Sequence, residues 1–256
     1  MRKITHICIS FILLIGTLSL AISVKDKLYG AASQSQGLGL SGFSRDNPSR
    51  RPEEKIIYVV RFGNIYLGQA KFHYAAQEEL YGRLVDIVTF QTNLARFVDL
   101  EKIYADPENF LPLRIERDVS TWPVPEKIIE NYNQKNFTLA ITKYKGKRQE
   151  QFFIKNDSPI HNAILLPFYV RSIPLLDVGW STVINLPKER FEVSLTSIEE
   201  VNVPAGKFKS YHFESKPKKF EIWLSADKRR IPVKIKGLGK LGYTLFMKEY
   251  RTTQGG

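Results

Sequence analysis

Apolar and polar residues alternate along most of the chain from about residue 53 onward. The stretch "KIIYVVRFGNIYLGQAKFHY" contains two alternating runs around Gly63-Asn64, and "LVDIVTF" adds a third. A period of two residues is typical of β-strands, whose side chains point to opposite faces in turn. Further runs of this kind are "NFTLAITKY", "WSTVINL" and "GYTLFMKEYR". The pattern therefore predicts strands almost to the C-terminal end.

Short turn sequences separate these runs. Asp106-Pro107-Glu108-Asn109 interrupts "FVDLEKIYADPENFLPLRIERDV", and Pro204-Ala205-Gly206 interrupts "FEVSLTSIEEVNVPAGKFKSYHFES". Proline, glycine, aspartate and asparagine are favoured at defined turn positions. Strands joined by short turns favour an antiparallel sheet, and no long amphipathic helix alternates with them as a parallel sheet requires.

Two segments follow a helical period instead. "SPIHNAILLPFYVRSI" has apolar residues near helical spacing, with Ser158 as a candidate N-cap, and Pro167 predicts that the helix is short or kinked. "PEKIIENY", residues 125–132, is a candidate for a second helical turn.

The last hairpin is predicted within "FEIWLSADKRRIPVKIKG", residues 220–237. Phe220, Ile222 and Leu224 share one face and can meet Ile231, Val233 and Ile235 across the ladder. If Leu224 pairs with Ile231, Glu221 lies opposite Lys234 and Trp223 opposite Pro232. The intervening loop then displays three consecutive basic residues.

The N-terminal part of the chain has a different character. The basic start "MRK" precedes an uncharged apolar run, residues 7–23, that ends in the small-x-small pattern Ala21-Ile22-Ser23. This predicts a secretory signal peptide over residues 1–23, or an uncleaved N-terminal membrane anchor. Residues 24–52 are rich in Ser, Gly, Gln and Pro, which predicts a flexible linker. We predict the β domain over residues 53–251 and a disordered tail over 252–256.

Composition narrows the chemistry. Cys8 is the only cysteine of the 256 residues and lies in the predicted signal, so thiol catalysis and thiolate metal sites are excluded for the mature chain. Loss of Arg2 and Lys3 with the signal lowers the formal net charge from +12 to +10. An exported basic protein meets anionic lipid, lipopolysaccharide or cell-wall polymer, and we expect no nucleic acid partner.

Most of this positive charge lies between Lys207 and Lys240, where only Glu214, Glu221 and Asp227 oppose the lysines and arginines. We predict an anionic-surface contact, with a membrane or an acidic envelope protein as partner, at Lys228, Arg229, Arg230, Lys234 and Lys236. The alternative is a solvated face that guards strands against edge pairing.

No catalytic constellation is evident. His73, His161 and His212 lack metal-ligand spacing, and no phosphate-binding loop or nucleophile elbow occurs on a suitable element. Asp99 and Glu101 share a strand face, as do Glu116 and Asp118, which is typical of the solvent side of an antiparallel sheet. We therefore predict no catalytic residue, no metal and no cofactor.

Five segments in order resemble a known family: "YVVRFGNIYLGQAKF", "YADPENFLPLRIERD", "LLPFYVRSIPLLDVGW", "VNVPAGKFKSYHFES" and "FEIWLSADKRRIPVKI". They resemble the domain of unknown function 3108 family, whose members look like exported bacterial proteins. The resemblance implies one large, highly curved antiparallel sheet or half-open barrel with one or two short helices. It is similar in outline to lipoprotein carriers of the LolA/LolB kind and brings no catalytic residues.

A carrier-like fold makes the helix within Ile160–Arg171 a candidate lid over an apolar cavity. Ile164, Phe168, Tyr169 and Trp180, together with Trp122, are the predicted lining, with ordinary core packing as the alternative. We predict an exported, periplasmic or envelope-associated protein that binds a lipid-like or lipoprotein-like ligand, or assists envelope assembly, without catalysis. The alternatives are an interaction protein that recruits an anionic partner through its basic hairpins, and an envelope polysaccharide hydrolase.

Overall fold

The computed structural model describes residues 53–75, 77–95, 97–120, 123–238 and 242–253. The predicted signal peptide, the predicted linker and residues 254–256 of the predicted tail lie outside these ranges. Thr252 and Thr253 lie inside them, and Thr253 N donates to Glu53 O at 3.1 Å. Within the described ranges, none of the helices combines the length and apolar character that crossing a membrane requires.

Strands account for most of the described chain. Their bounds are β1 (Glu54–Phe62), β2 (Ile65–Tyr74), β3 (Glu78–Leu80), β4 (Arg83–Leu94), β5 (Phe97–Ala105), β6 (Pro112–Ser120), β7 (Glu126–Asn133), β8 (Thr138–Lys145), β9 (Arg148–Lys155), β10 (Ser181–Asn185), β11 (Arg190–Val203), β12 (Gly206–Lys216), β13 (Phe220–Ser225), β14 (Pro232–Gly237) and β15 (Thr244–Thr252). The predicted turns at 106–109 and 204–206 separate β5 from β6 and β11 from β12.

All of these strands belong to one antiparallel sheet. Its order is β10-β11-β12-β13-β14-β15-β1-β2-β4-β5-β6-β7-β8-β9, with β3 paired to β4. Leaving β3 aside, strands that are adjacent in the sheet are consecutive along the chain, except that β15 pairs with β1. The edge strands β9 and β10 do not pair with each other, so the sheet stays open. The predicted large, half-open antiparallel sheet with a short helix is confirmed.

The helix α1 (Leu166–Arg171) lies in the connection between the two edge strands. It is shorter than predicted, because Pro167 occupies its first turn and Leu165, not Ser158, is the N-cap. Asn162 stabilises the turn that precedes α1, since its Oδ1 accepts hydrogen bonds from the backbone N–H groups of Ile164 and Leu165 at 2.8 and 3.3 Å.

The second predicted helical turn, residues 125–132, is wrong. This segment forms β7, in which Ile128, Glu130 and Tyr132 alternate with more exposed residues and the backbone pairs with β6 and β8. A run of eight residues contains too few turns to separate a helical from a strand period, and pairing on both sides decides in favour of the strand.

The predicted register of the β13–β14 hairpin is also wrong. A shift between Trp223 and Leu224 places Leu224 opposite Pro232, so that Glu221 pairs with Lys236 and Trp223 with Lys234. Ile222 still meets Ile235, so the apolar face is kept. The shift lies beside Pro232, which has no N–H to donate to the ladder.

The core consists of two apolar clusters that meet at α1. Phe168, with Ile164 and Leu165 before it, belongs to the cluster mainly on strands β1, β2, β4–β8 and β13–β15, whereas Leu166 and Val170 belong to the cluster on strands β10–β13. Burial of each such side chain stabilises the fold by about 1.5–3 kcal/mol. The helix therefore lies on the concave face and packs against both clusters.

The connections divide between two ends of the sheet, because neighbouring strands run in opposite directions. The β1–β2, β4–β5, β6–β7, β8–β9, β10–β11, β12–β13 and β14–β15 connections lie at one end. The termini of the domain, the connection through α1 and the remaining turns lie at the other.

Candidate functional site

Four charged residues lie together on the concave face, a group that we call the interior charged cluster: Asp99, Glu101, Arg117 and Glu130. They come from three adjacent strands, β5, β6 and β7, and only 2–3% of each residue is exposed. The prediction that Asp99 and Glu101 face solvent is wrong. Alternation shows which residues share a face but not which face turns inward, and here Glu116 and Asp118 take the outer one.

Arg117 is the centre of this cluster. Its Nε and Nη2 atoms donate to Oδ1 and Oδ2 of Asp99 at 2.8 and 2.6 Å, a bidentate pair. Its Nε also lies 3.4 Å from Oε1 of Glu101, the residue opposite it in the ladder. Glu130 accepts a hydrogen bond of 2.5 Å from the Tyr132 hydroxyl. One guanidinium thus provides the positive charge for several buried carboxyl groups.

The crowding of carboxyl groups changes their protonation. Burial, with Asp99 and Glu130 nearby, raises the pKa of Glu101 to about 8 against the opposing effect of Arg117. Burial also raises the pKa of Glu130 to about 7, although Tyr132, Arg117 and Lys143 favour its ionised form. Near neutral pH the cluster therefore holds at least one proton that a solvated carboxylate would release.

The predicted ligand-lining residues lie beside this cluster. Ile164 and Phe168 are buried, and the Phe168 ring lies 5.7, 6.1 and 6.0 Å from the rings of Phe72, Tyr74 and Phe110. Tyr169 is half-buried and touches both apolar clusters. Trp180 is half-buried, and its ring lies 6.1 Å from that of Phe213 in the second cluster.

The structure thus brings Ile164, Phe168 and Tyr169 together around α1 and places Trp180 in the neighbouring cluster. Trp122 lies outside the described residues. The role of these side chains in holding a ligand stays a prediction. The segment before α1 also comes near Tyr132, the hydrogen-bond partner of Glu130, since the Asn162 side chain lowers the pKa of the Tyr132 hydroxyl against the larger effect of burial.

The five residues predicted to contact an anionic surface do not form one group. Lys228, Arg229 and Arg230 lie in the β13–β14 connection, whereas Lys236 lies near the far end of β14. Arg230 donates to the backbone carbonyls of Arg171, Ile173 and Pro174 at the end of α1.

Three more of the five have intramolecular partners. Arg229 pairs with Asp227 at 2.8 Å, Lys234 lies 4.0 Å above the Trp223 ring, and Lys236 is 3.2 Å from Glu221. Among the described residues, Lys228 is exposed and has no carboxylate within ion-pair distance. Contact of these five with an anionic surface stays a prediction.

Comparison with known proteins identifies the family. The family model "Protein of unknown function (DUF3108)" matches residues 57–247. The chain belongs to the DUF3108 family. No curated protein matches this DUF3108 chain in sequence.

Two solved structures resemble it. A β-barrel-like protein of the domain of unknown function DUF1849 from Brucella abortus is 8% identical, with a TM-score of 0.50, over 80% of this chain and 100% of that chain. An exported protein with a YmcC-like fold from Bacteroides fragilis is 11% identical, with a TM-score of 0.26, over 78% of this chain and 94% of that chain. At these identities the first likeness shows the fold alone.

One group in this DUF3108 protein has metal-ligating residue types. His212, Glu214 and Glu221 have ligand atoms within 4.8 Å of one another, and Glu214 faces Glu221 across the β12–β13 ladder. Lys218 lies 3.8 Å from Glu214 and 3.3 Å from Glu221, and Lys236 also binds Glu221. Because ammonium groups already occupy the carboxylates, we interpret the group as an ion-pair network.

The three histidines of the described chain have separate partners. His73 lies 2.5 Å from Glu53, His161 accepts a hydrogen bond from the Asn185 backbone, and the His212 ring stacks on Trp223. Sequence reasoning missed the interior charged cluster as a unit. Arg117 was the available signal, because the residues two positions before and after it, which share its face of the strand, are apolar.

Proposed function

We propose that this DUF3108 protein is an exported cell-envelope protein that binds an apolar or amphipathic, lipid-like ligand without catalysing a reaction. The ligand lies between the concave face of the sheet and the segment 156–180 that carries α1. One observation carries the proposal: a large apolar surface and the interior charged cluster adjoin on the same concave face beneath that segment. The apolar run at residues 7–23 supports export.

The apolar part of the face suits an acyl chain. Phe168 enters it among Phe72, Tyr74 and Phe110, so a ligand that displaced α1 would meet aromatic and aliphatic walls. Each methylene group that moves from water onto such a surface contributes about 0.8 kcal/mol.

The polar part of the face suits a head group. Arg117, Glu101, Glu130 and Tyr132 offer donors and acceptors at one place beside the apolar surface. Binding sites for small molecules combine such a surface with a few polar groups that fix the ligand's orientation.

The segment 156–180 is suited to act as the cover. It joins the two edge strands, and near its two ends its backbone bonds the sheet, at His161 to Asn185 and at Gly179 and Trp180 to Leu195. Movement of its central part, which contains α1, therefore breaks no pairing between strands. Near the C-terminal end of α1 it is held by Arg171, whose Nη1 and Nη2 atoms donate to Glu54 at 2.6 and 3.0 Å. Arg230 binds the carbonyls that follow.

A polysaccharide hydrolase is less well supported. Such an enzyme needs two carboxyl groups across an open cleft, where a polymer can reach them. Glu101 and Glu130 are paired around Arg117 but only 3% and 2% exposed, beneath the covering segment. A flexible amphipathic molecule that displaces the cover fits this arrangement better than a sugar polymer.

Titration of the full chain with a fluorescent long-chain fatty acid tests the proposal. We expect saturable binding at one site, and about 2- to 10-fold weaker binding by Tyr132→Phe, which removes a hydroxyl from the polar part. Arg171→Met should accelerate uptake, because it releases α1 from Glu54, whereas Arg190→Met on the exposed surface should not. Absence of saturable binding by the folded wild type would contradict the proposal.

A further inference from the structure

Positive charge is concentrated at one end of the sheet. It is the end that carries the β1–β2, β4–β5, β6–β7, β8–β9, β10–β11, β12–β13 and β14–β15 connections. We call this end the basic rim: the described residues within 61–66, 94–97, 120–127, 144–149, 185–190, 216–220 and 236–244. Its eleven basic residues are Arg61, Lys127, Lys145, Lys147, Arg148, Lys188, Arg190, Lys216, Lys218, Lys219 and Lys236. Glu126 and Glu189 are the acidic residues of the described rim, so its formal net charge is +9. Glu221, one residue outside these ranges, also pairs with Lys218 and Lys236.

The opposite end has no such excess. Its described connections and termini lie within 53–54, 74–83, 105–112, 133–138, 155–181, 203–206, 225–232 and 252–253. Nine acidic residues, Glu53, Glu54, Glu78, Glu79, Asp106, Glu108, Asp157, Asp177 and Asp227, face seven basic ones, Arg83, Lys135, Lys155, Arg171, Lys228, Arg229 and Arg230. The formal net charge there is −2, so the domain is polarised along its strands.

Much of the rim's charge is not compensated within the protein. Lys147, Arg148 and Lys216 are exposed, and none has a carboxylate within ion-pair distance among the described residues. Lys145 and Lys219 lie 3.8 and 3.9 Å from the only two acidic residues of the rim. The potential at this end is therefore available to a partner.

An apolar tip projects from the same rim. It is the turn between β1 and β2, where Phe62, Ile65 and Tyr66 are 40%, 63% and 58% exposed. β4 pairs with β2 only from Gly68 onward, and β15 pairs with β1 only as far as Arg61. The β2 side of the turn therefore extends about 10 Å beyond the last residue that pairs with β4, and the β1 side about 3 Å beyond the last residue that pairs with β15, at roughly 3.3 Å per residue.

The base of the tip is fixed rather than loose. A register shift between Val60 and Arg61 marks it, and Gly68 brings β2 so close to β4 that a Cβ atom there would lie 2.0 Å from the carbonyl oxygen of Asn93. The hairpin thus exposes three large apolar side chains, in part or mostly, at the basic rim.

We propose that the basic rim docks on the surface of an anionic phospholipid bilayer, with the apolar tip in the interface. Apolar faces of peripheral proteins enter the interface by roughly 5–10 Å, which matches the length of the tip. Lysines and arginines around it then lie at the level of anionic head groups. A soluble polyanion would use the charge but leave the apolar tip without a partner. This surface is distinct from the predicted contact at Lys228–Arg230, and it does not depend on a ligand inside the sheet.

Vesicle sedimentation with the full chain tests the proposal. We expect binding to vesicles of phosphatidylcholine with phosphatidylglycerol that exceeds binding to pure phosphatidylcholine and weakens at high salt. The triple variant Lys147→Glu, Arg148→Glu, Lys216→Glu should weaken the anionic component by well over 10-fold, at about fivefold per charge removed. Ile65→Ser with Tyr66→Ser should weaken it at least severalfold.

Arg83→Glu with Lys135→Glu is the matched control, since both residues are exposed at the opposite end. These changes should leave vesicle binding unchanged. The N-terminal apolar run is common to all variants, so differences among them report the rim. Equal binding by the rim variants and the control would overturn the proposal. Loss of vesicle binding in the charge variant but not in the tip variant would also overturn the proposal, because a site for a soluble polyanion needs the charge and not the apolar tip.

Discussion

The interior charged cluster and the basic rim use the same residue types in opposite environments. Arg117 is 3% exposed and held by Asp99 and Glu101 within the concave face. Lys147, Arg148 and Lys216 are exposed and, among the described residues, lack a carboxylate partner. We therefore expect changes to the first set to disturb the fold and changes to the second to leave it unaffected.

Burial decides whether a charged side chain contributes to stability or is available for binding. Removal of one member of a buried charged group leaves the others without compensation in a medium of low polarity. An exposed charge is solvated in both the folded and the unfolded state, so its removal alters stability little. Stability and binding measurements should therefore separate the two sets.

The largest effect is expected from Arg117→Ala. Asp99, Glu101 and Glu130 would lose their shared cation while buried, which should lower the free energy of unfolding by about 3–5 kcal/mol. Urea unfolding followed by circular dichroism measures the change, with Lys147→Ala as the exposed control. A loss below about 1 kcal/mol would show that the cluster is hydrated or unpaired in solution.

A pH-dependent effect is expected from Glu101→Gln. The pKa of Glu101 is about 8 in the folded protein, against an ordinary value of 4.5, so the folded state binds the proton more tightly than the unfolded state. This group therefore loses its stabilising contribution as pH rises from about 4.5 to 8. Glu101→Gln should raise the Tm at pH 9 relative to the wild type and change it little near pH 5.

Thermal unfolding across this pH range measures the prediction. Glu116→Gln is the control, because Glu116 lies on the outer face of β6 and pairs with Arg114 at 2.9 Å. A Glu101→Gln profile parallel to that of the wild type would contradict the burial of an uncharged Glu101.

An intermediate effect is expected at the end of α1. Arg230→Ala removes the guanidinium that binds the carbonyls of Ile173 and Pro174, which should cost about 1.5–3 kcal/mol of unfolding free energy. Lys228→Ala, two residues away and exposed, should be neutral within about 0.5 kcal/mol. Equal free energies of unfolding for the two variants in urea would mean that the hydrogen bonds of Arg230 contribute nothing to stability.

The smallest effect on stability is expected at the basic rim. Lys147→Glu, Arg148→Glu and Lys216→Glu should each change the free energy of unfolding by no more than about 0.5 kcal/mol. Urea unfolding of the triple variant checks this expectation. A large loss of stability would place these lysines and this arginine in the structural set and would remove the contrast between the two sets.

Much of the fold was predictable because its signals are local. Alternation identifies the strands, and the turns at 106–109 and 204–206 carry their own residue preferences. The order of the strands follows almost entirely from sequence adjacency. Among the strand pairings of the described chain, only that of β15 with β1 joins strands far apart in sequence, which a local pattern does not encode.

The remaining features depend on relations between strands. Asp99 and Glu101 turn inward because β5 pairs with a strand that presents Arg117 on the same face, and alternation does not reveal which face is covered. Lys147 and Lys216 lie at the same end of the sheet only because of the directions in which their strands run. The charge cluster visible between Lys207 and Lys240 is divided by the fold between the two ends.

Native mass spectrometry of the protein purified from its native host cells shows whether the concave face holds a lipid-like ligand. We expect a wild-type population heavier than the bare chain by the mass of one lipid-like molecule, identified by lipid analysis of the same sample. Tyr132→Phe should reduce that population, and Glu116→Gln should not. A folded wild-type protein that carries no additional mass, and takes up no fatty acid when offered it, would contradict the proposed function.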